Sequence, residues 1–501
     1  MRLVACTSSS RVMCGGNPRR PYGRRARGRA VTAVTDCGAA APYTPPGPTQ
    51  EEAMTAPAAA KDTARESAGR IVADLAERLA DPGSVVRAAT APGNLDCCPG
   101  RPAPQPPWHG LALSEGHPGV ALLFAELSRT APAHRTAIHA HLTAAARELP
   151  APSGGCLFEG APALAFAART ARHDPDDYAE LLDHLDELVG AQLRALLAEE
   201  SARLDAGRAG VRLGAYDTLA GAAGLARHLL LDPARHPQLL RDTLSYFVRL
   251  TRPVRAHGCT VPGWWVPTQP AVDPDARFTR GHFNLGLAHG ICGPLVLLAR
   301  GWEEGIRVPG HEEAMARIAD HLLAFRRYDG LWPGAIGFDD FLSGDRAPAV
   351  DDNMVAWCYG TPGVARALYL AGRALDRADW RRTAVQALGD ALGLRPPGAT
   401  DSSLCHGWAG LLHITWRMAD DSGDRRLAEL VPRLAAPVLD AYDAALPFGF
   451  HYERPGLPPD RSLAAHRAGF LEGAAGIGLA LHTYATGRAP SGDWDAALLL
   501  S

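Results

Sequence analysis

The sequence predicts an all-α protein, an α/α toroid of about seven helical-hairpin repeats with an inner and an outer ring of helices. Three observations predict it. A glycine-containing turn recurs seven times, with first glycines at 116, 160, 221, 290, 360, 407 and 473. Each turn opens a small-faced Ala/Leu-rich segment, and between the turns lie charged amphipathic segments. Separations of 44 to 70 residues leave room for two helices and a variable loop per repeat. No terminal repeat has an obviously polar outer face, which a closed ring explains because closure removes the ends that open arrays must cap.

Residues 1–60 carry arginines at 19, 20, 24, 25, 27 and 29, no acid before Asp36, and then Pro/Ala/Thr-rich sequence. Such a stretch packs no core. It is read as a disordered basic tail, or a start codon placed too early with Met54 as the true beginning, in preference to a targeting segment. The domain itself is expected over 61–501. Ala68, Ile71, Val72, Leu75 and Leu79 recur at helical spacing from Asp62 to about Asp81. A Pro-rich loop follows from Pro92 to Pro107, and then the seven turns begin.

Six of these turns read Gly-x-x-Gly, and the second has Ala163 at the later position. Glycine permits close backbone approach there, and the helices that start at these turns suit crowding around an axis. Segments such as Tyr178 to Leu197 and Glu312 to Phe325 are the expected outer helices. None of the turns has the order of a dinucleotide loop or the Gly-Lys-Ser/Thr of a phosphate loop, so nucleotide binding is not expected.

Composition excludes other classes. Hydrophobic residues make up 47 % of 501 and the formal net charge is −3, so no global field draws nucleic acid. No apolar run approaches the roughly 18–20 residues of a membrane span. The ten cysteines are scattered without the spacing of a secreted disulfide scaffold, which favours a reducing cytoplasm. The vicinal Cys97-Cys98 pair is assigned no function.

Chemistry concentrates at consecutive turns. Cys358 in the fifth and Cys405-His406 in the sixth would meet at one end of the ring. Two thiolates and an imidazole favour zinc, and three ligands leave a fourth position open. Cys405 and His406 are neighbours, and a turn at Gly407 is what lets one ion take both. Such a charge-compensated site suits thiol addition better than hydrolysis. His289, at the fourth turn, is the candidate acid/base group, set against a purely structural histidine. Asp217, before the third turn, would orient an imidazole or cap a helix. His413 is expected to pack along its helix, and His117, His466 and His482 have no evident partner. Pro262-Gly263-Trp264-Trp265 is read as a packed aromatic loop.

The seven turns, Trp-Cys-Tyr-Gly at 357–360, Cys-His-Gly at 405–407, Leu-Ala-His-Gly at 287–290, Tyr216-Asp217, Pro-Gly-Trp-Trp and the terminal Trp494-Asp495-Ala-Ala-Leu-Leu-Leu together resemble the lanthionine synthetase C-like family. The resemblance covers roughly 65–501. It implies an α/α toroid with one zinc ion on Cys358, Cys405 and His406, His289 as acid/base, and supporting roles for Asp217 and Tyr359. One position departs: the family often carries Arg four residues before the Trp-Cys-Tyr-Gly cysteine, where this chain has Met354.

The expected activity is that of a zinc-dependent lanthipeptide cyclase. It would add peptide cysteine thiolates to dehydroalanine or dehydrobutyrine to give lanthionine or methyllanthionine. A dehydrated precursor peptide and a separate dehydratase are the expected partners, with peripheral membrane association left open. The alternatives are addition of a small thiol such as glutathione to dehydroamino acids, and a non-catalytic peptide-binding ring with structural zinc. The last would need a fourth ligand, for which His289, Cys292 and His117 are the candidates.

Overall fold

The computed structural model describes residues 50–97, 103–150, 155–269, 276–346, 355–394, 401–452 and 464–501. The expected N-terminal tail lies, up to residue 49, outside them, as do Cys98 and Met354.

The apolar segments that follow the glycine turns become seven helices buried almost all round. They are α3 (His117–Leu127), α5 (Ala161–Ala171), α8 (Ala222–Leu229), α10 (Cys292–Glu303), α13 (Thr361–Ala374), α15 (Trp408–Ser422) and α17 (Ala474–Thr486). Every residue of α3 is buried, as its lack of a polar face requires. Each fully buried leucine such as Leu122 or Leu123 contributes about 1.5–3 kcal/mol.

Seven amphipathic partners lie outside. They are α1 (Gln50–Leu79), α4 (Arg135–Arg147), α6 (Ala179–Asp205), α9 (Pro237–Leu250), α11 (His311–Ala324), α14 (Ala378–Leu394) and α16 (Arg425–Asp440). Helix α9 shows how they bind: Leu240, Leu244 and Phe247 recur on its inner face. The inner helices pack in chain order, and α17 packs back on α3, closing the ring. The chain's first outer helix, α1, packs on α17, so the two ends of the ring share one hairpin.

Some boundaries differ from those expected. Helix α1 starts at Gln50, ahead of the apolar periodicity, in an Ala-rich stretch of high helix propensity. It ends at Leu79, and Asp81 instead caps the short α2 (Pro82–Ala89) by accepting from Ser84 N at 2.7 Å. Two further short helices, α7 (Leu213–Tyr216) and α12 (Phe338–Ser343), lie in connecting loops.

Among the described residues, three antiparallel two-stranded sheets lie between the helices, and the third joins strands on either side of α10 and α11. They are β1 (Gly155–Cys156) with β2 (Glu159–Gly160), β3 (Pro253–Ala256) with β4 (Cys259–Pro262), and β5 (His282–Asn284) with β6 (Ala335–Gly337). Trp264 and Trp265, just beyond β4, are buried, so that loop packs as expected.

The turns are tied to one another by backbone hydrogen bonds. Thr218 N donates to Ala288 O (3.1 Å), Leu287 N to Cys358 O (3.1 Å), Cys358 N to Cys405 O (3.3 Å), Cys405 N to Leu471 O (3.0 Å), Leu471 N to Ser114 O (3.1 Å) and Leu113 N to Phe158 O (2.9 Å). This belt explains the second glycine of the motif. A Cβ at Gly363 would lie 2.5 Å from Trp357 O and 2.9 Å from Leu287 Cβ, and at Gly410 it would overlap Leu404 O.

The C-terminal residues 494–501 run into the ring. Trp357 Nε1 donates to Leu498 O (2.8 Å), Arg366 Nε to Leu500 O (2.9 Å), and Asp495 accepts from His413 Nε2 (2.8 Å) and Arg417 Nε (2.6 Å). His413 therefore anchors the tail rather than merely packing along its helix. Among the described residues no helix is long and apolar enough to cross a membrane.

Candidate metal centre

The hydrogen bond from Cys358 N to Cys405 O joins the fifth and sixth turns directly, and their side chains converge there. The ligand atoms of Cys358, Cys405 and His406 all lie within 4.8 Å of one another, and all three residues are buried. Atoms bound at 2.0–2.3 Å to one tetrahedral ion are separated by about 3.5–3.8 Å, so only a small contraction brings these onto a shared ion. The soft thiol and imidazole donors fit zinc. Among the described residues this is the one cluster of three or more metal-ligating side chains.

The candidates for a fourth protein ligand are placed elsewhere. His289 Nδ1 is bonded to Asp217, and His117 Nδ1 lies 3.0 Å from His141 Nδ1. Burial holds His117 down to about 4, with His141 adding to it. Cys292 is buried in α10, and burial pushes its thiol well above the usual range, which keeps it protonated.

His289 and Asp217 meet across the fourth and third turns. Asp217 Oδ2 accepts from His289 Nδ1 at 2.6 Å, and its Oδ1 accepts from Ala220 N at 2.8 Å. The carboxylate thus holds a turn and an imidazole at once. It is not the helix cap expected, because Gly221 is the N-cap of α8 and Asp217 lies one turn upstream. His289 keeps a little solvent exposure, at 11 % of its side chain, while Asp217 keeps 1 %.

Tyr359 lies beside them, its ring 6.3 Å from that of His289. Its hydroxyl accepts from Asn284 Nδ2 (3.3 Å), while Asn284 Oδ1 accepts from Gly286 N (2.9 Å). Asn284 was not singled out by the sequence reading.

A second set of unforeseen residues lies on the other side, at His406. Its Nε2 is 3.3 Å from Tyr452 OH and 3.4 Å from Asp401 Oδ2. Tyr452 OH donates to Glu472 Oε1 (3.0 Å), and Arg467 Nη1 bonds Glu472 Oε2 (2.9 Å) and Glu115 Oε2 (3.0 Å). Burial lowers the Arg467 pKa, but Glu472, Glu115, Tyr452 and Asp96 together carry it well above the ordinary value. One signal for Glu472 was present in the sequence. It directly precedes the first glycine of its turn, the place that His289, Tyr359 and His406 hold in theirs.

His466 lies against His451, the rings tilted by 32° with centroids 4.9 Å apart, and His482 lines a cavity of about 960 Å³ against α1, remote from the Cys358 and Cys405-His406 turns in sequence.

The family model for lanthionine synthetase C-like protein matches residues 107–499. The nisin biosynthesis protein NisC of Lactococcus lactis subsp. lactis is 25 % identical over 312 residues, which are 61 % of this chain and 72 % of that protein. The solved structure of a nisin cyclase has the same fold. Its TM-score is 0.64 at 22 % identity, covering 78 % of this chain and 92 % of that one.

Proposed function

Since the chain belongs to the lanthionine synthetase C-like family, we propose that it is a zinc-dependent lanthipeptide cyclase acting in the cytoplasm on a dehydrated precursor peptide that a separate dehydratase supplies. The observation that carries the reading is the convergence of Cys358, Cys405 and His406 beside the His289–Asp217 pair. The relative named for nisin biosynthesis supports the substrate class.

Cys358, Cys405 and His406 would hold the zinc ion. Bound there, it would acidify a peptide thiol while leaving the sulfur nucleophilic. The thiol sulfur adds to the β-carbon of dehydroalanine or dehydrobutyrine. A C–S bond forms, the alkene π pair moves toward the carbonyl, and the α-carbon takes a proton. No atom is lost, so product and substrate have equal mass.

His289 moves the proton. Its Nδ1–H is committed to Asp217, so Nε2 is the nitrogen that takes a proton from the thiol or returns one to the α-carbon. Asp217 stabilises the imidazolium that forms. Tyr359, held by Asn284 with its ring 6.3 Å from that of His289, would have a supporting role beside it. Met354 lies outside the described residues, and the mechanism assigns no cation to that position.

The test combines metal content with thiol alkylation and mass spectrometry of a dehydrated peptide. The wild-type chain is expected to hold one zinc and to remove free thiols from the peptide without changing its mass. Cys358→Ala is expected to lose both properties. Full cyclisation by a zinc-free Cys358→Ala protein would reject the mechanism.

A further inference from the structure

A metal-bound imidazole must present the correct nitrogen, and a neutral histidine has two tautomers to choose from. In this chain the choice is made by groups outside the ligand set. Glu472 is buried against Arg467, which bonds it at 2.9 Å and also engages Glu115 and Asp96. An ionised carboxylate only accepts, so the single proton of the Tyr452 hydroxyl is spent on Glu472 Oε1 at 3.0 Å. Toward His406 the hydroxyl therefore presents a lone pair, at 3.3 Å from Nε2. The Tyr452 hydroxyl therefore requires the proton to be on Nε2.

We infer that Tyr452, held by Glu472 and Arg467, is a positioning residue that fixes the His406 proton on Nε2 and so makes Nδ1 its metal-binding nitrogen. This rests on the zinc reading above. The arrangement is rigid: the Arg467 guanidinium lies 4.5 Å from the Tyr452 ring centroid, and Tyr452 is paired through its backbone with Ala465. It also spans three turns, with His406 in the sixth, Glu472 in the seventh and Glu115 in the first. Neighbours that orient a metal-bound imidazole typically change metal affinity 10–100-fold when removed.

The experiment compares zinc affinity of the full chain and of Tyr452→Phe by chelator competition, alongside thermal unfolding with and without zinc. The expected result is about a 10–100-fold weaker affinity and a smaller zinc-induced rise in Tm, with the metal-free Tm little changed. A purely structural tyrosine would lower the metal-free and zinc-loaded Tm together and leave affinity alone. Histidine ¹⁵N spectra of the metal-free wild-type protein, above the pH at which His406 protonates, give a test that needs no variant; Nε2–H is expected. Affinity within twofold of wild type, or an Nδ1–H tautomer, overturns this assignment while the zinc reading stands. Failure of the wild-type chain to bind zinc overturns both.

Discussion

Replacing Asp217 by Asn is nearly isosteric, and the structure dictates which way the amide must face. Ala220 N donates to one carboxylate oxygen at 2.8 Å, so it selects the amide carbonyl on that side. The NH₂ is then forced toward His289 Nδ1, now 2.6 Å from a carboxylate oxygen. A donor there requires Nδ1 to accept, which moves the imidazole proton to Nε2 and removes the basic nitrogen from the reacting side. Loss of general acid/base action is worth about 10²–10⁴-fold in rate, or roughly 2.7–5.5 kcal/mol of transition-state stabilisation. The fold and the zinc site should survive, since both hydrogen bonds are re-formed and the ligands are on other turns. The assay is single-turnover cyclisation of a dehydrated peptide, scored by free-thiol alkylation, with zinc content measured on the same sample. An Asp217→Asn protein that keeps its zinc and cyclises within threefold of wild type would refute the reasoning.

Other outcomes follow from features of the ring. Gly363→Ala places a Cβ 2.5 Å from Trp357 O and should cost about 1–3 kcal/mol or more with loss of zinc, whereas Gly69→Ala, exposed in α1 with nothing within 4 Å, should add about 0.5–1 kcal/mol; urea unfolding distinguishes them. Asp495→Ala leaves Arg417 and His413 buried without their shared carboxylate and should cost about 3–5 kcal/mol in the same assay. Burial lowers the pKa of His282 to about 4 and that of His321 to about 3, against 6.5 unfolded. Below pH 6.5 the unfolded chain binds protons that these folded imidazoles refuse. Their stabilisation is therefore full above 6.5 and is lost as pH falls toward 4, by up to about 1.4 kcal/mol per histidine per pH unit. Tm measured from pH 8 to 4.5 should stay level and then fall; a flat profile through pH 5 would contradict it.

The parts of this molecule that were legible in the sequence are those that leave a local pattern. Glycines at 116 to 473 marked the turns because backbones touch there, and the apolar segments after them became the inner ring. Cys358, Cys405 and His406 could be paired because consecutive repeats place equivalent turns side by side. The Asp217–His289 contact was legible on the same ground, although its dual hold on Ala220 was not. What stayed hidden leaves no local mark. The belt is made of backbone groups, which every residue carries. Tyr452 and Arg467 reach His406 and Glu472 from an irregular segment outside the repeat pattern, and the buried Asp495–Arg417–His413 group pairs residues about 80 positions apart. The length of α1 was missed because helix propensity, not amphipathic period, sets its start.

The belt also imposes an order in time on the chain as it is made. Cys358 emerges from synthesis long before the residues that hold it: its amide waits for Cys405, the amide of Cys405 waits for Leu471, and Trp357 waits for Leu498. Helix α1, which packs mainly on α17 and only slightly on α3, lacks its chief inner partner until α17 exists. A nascent chain halted before Leu471 therefore carries Cys358, Cys405 and His406 without the backbone bond that ties the sixth turn to the seventh. The convergence of Cys358, Cys405 and His406 is consequently completed by the seventh turn, made after all three of them.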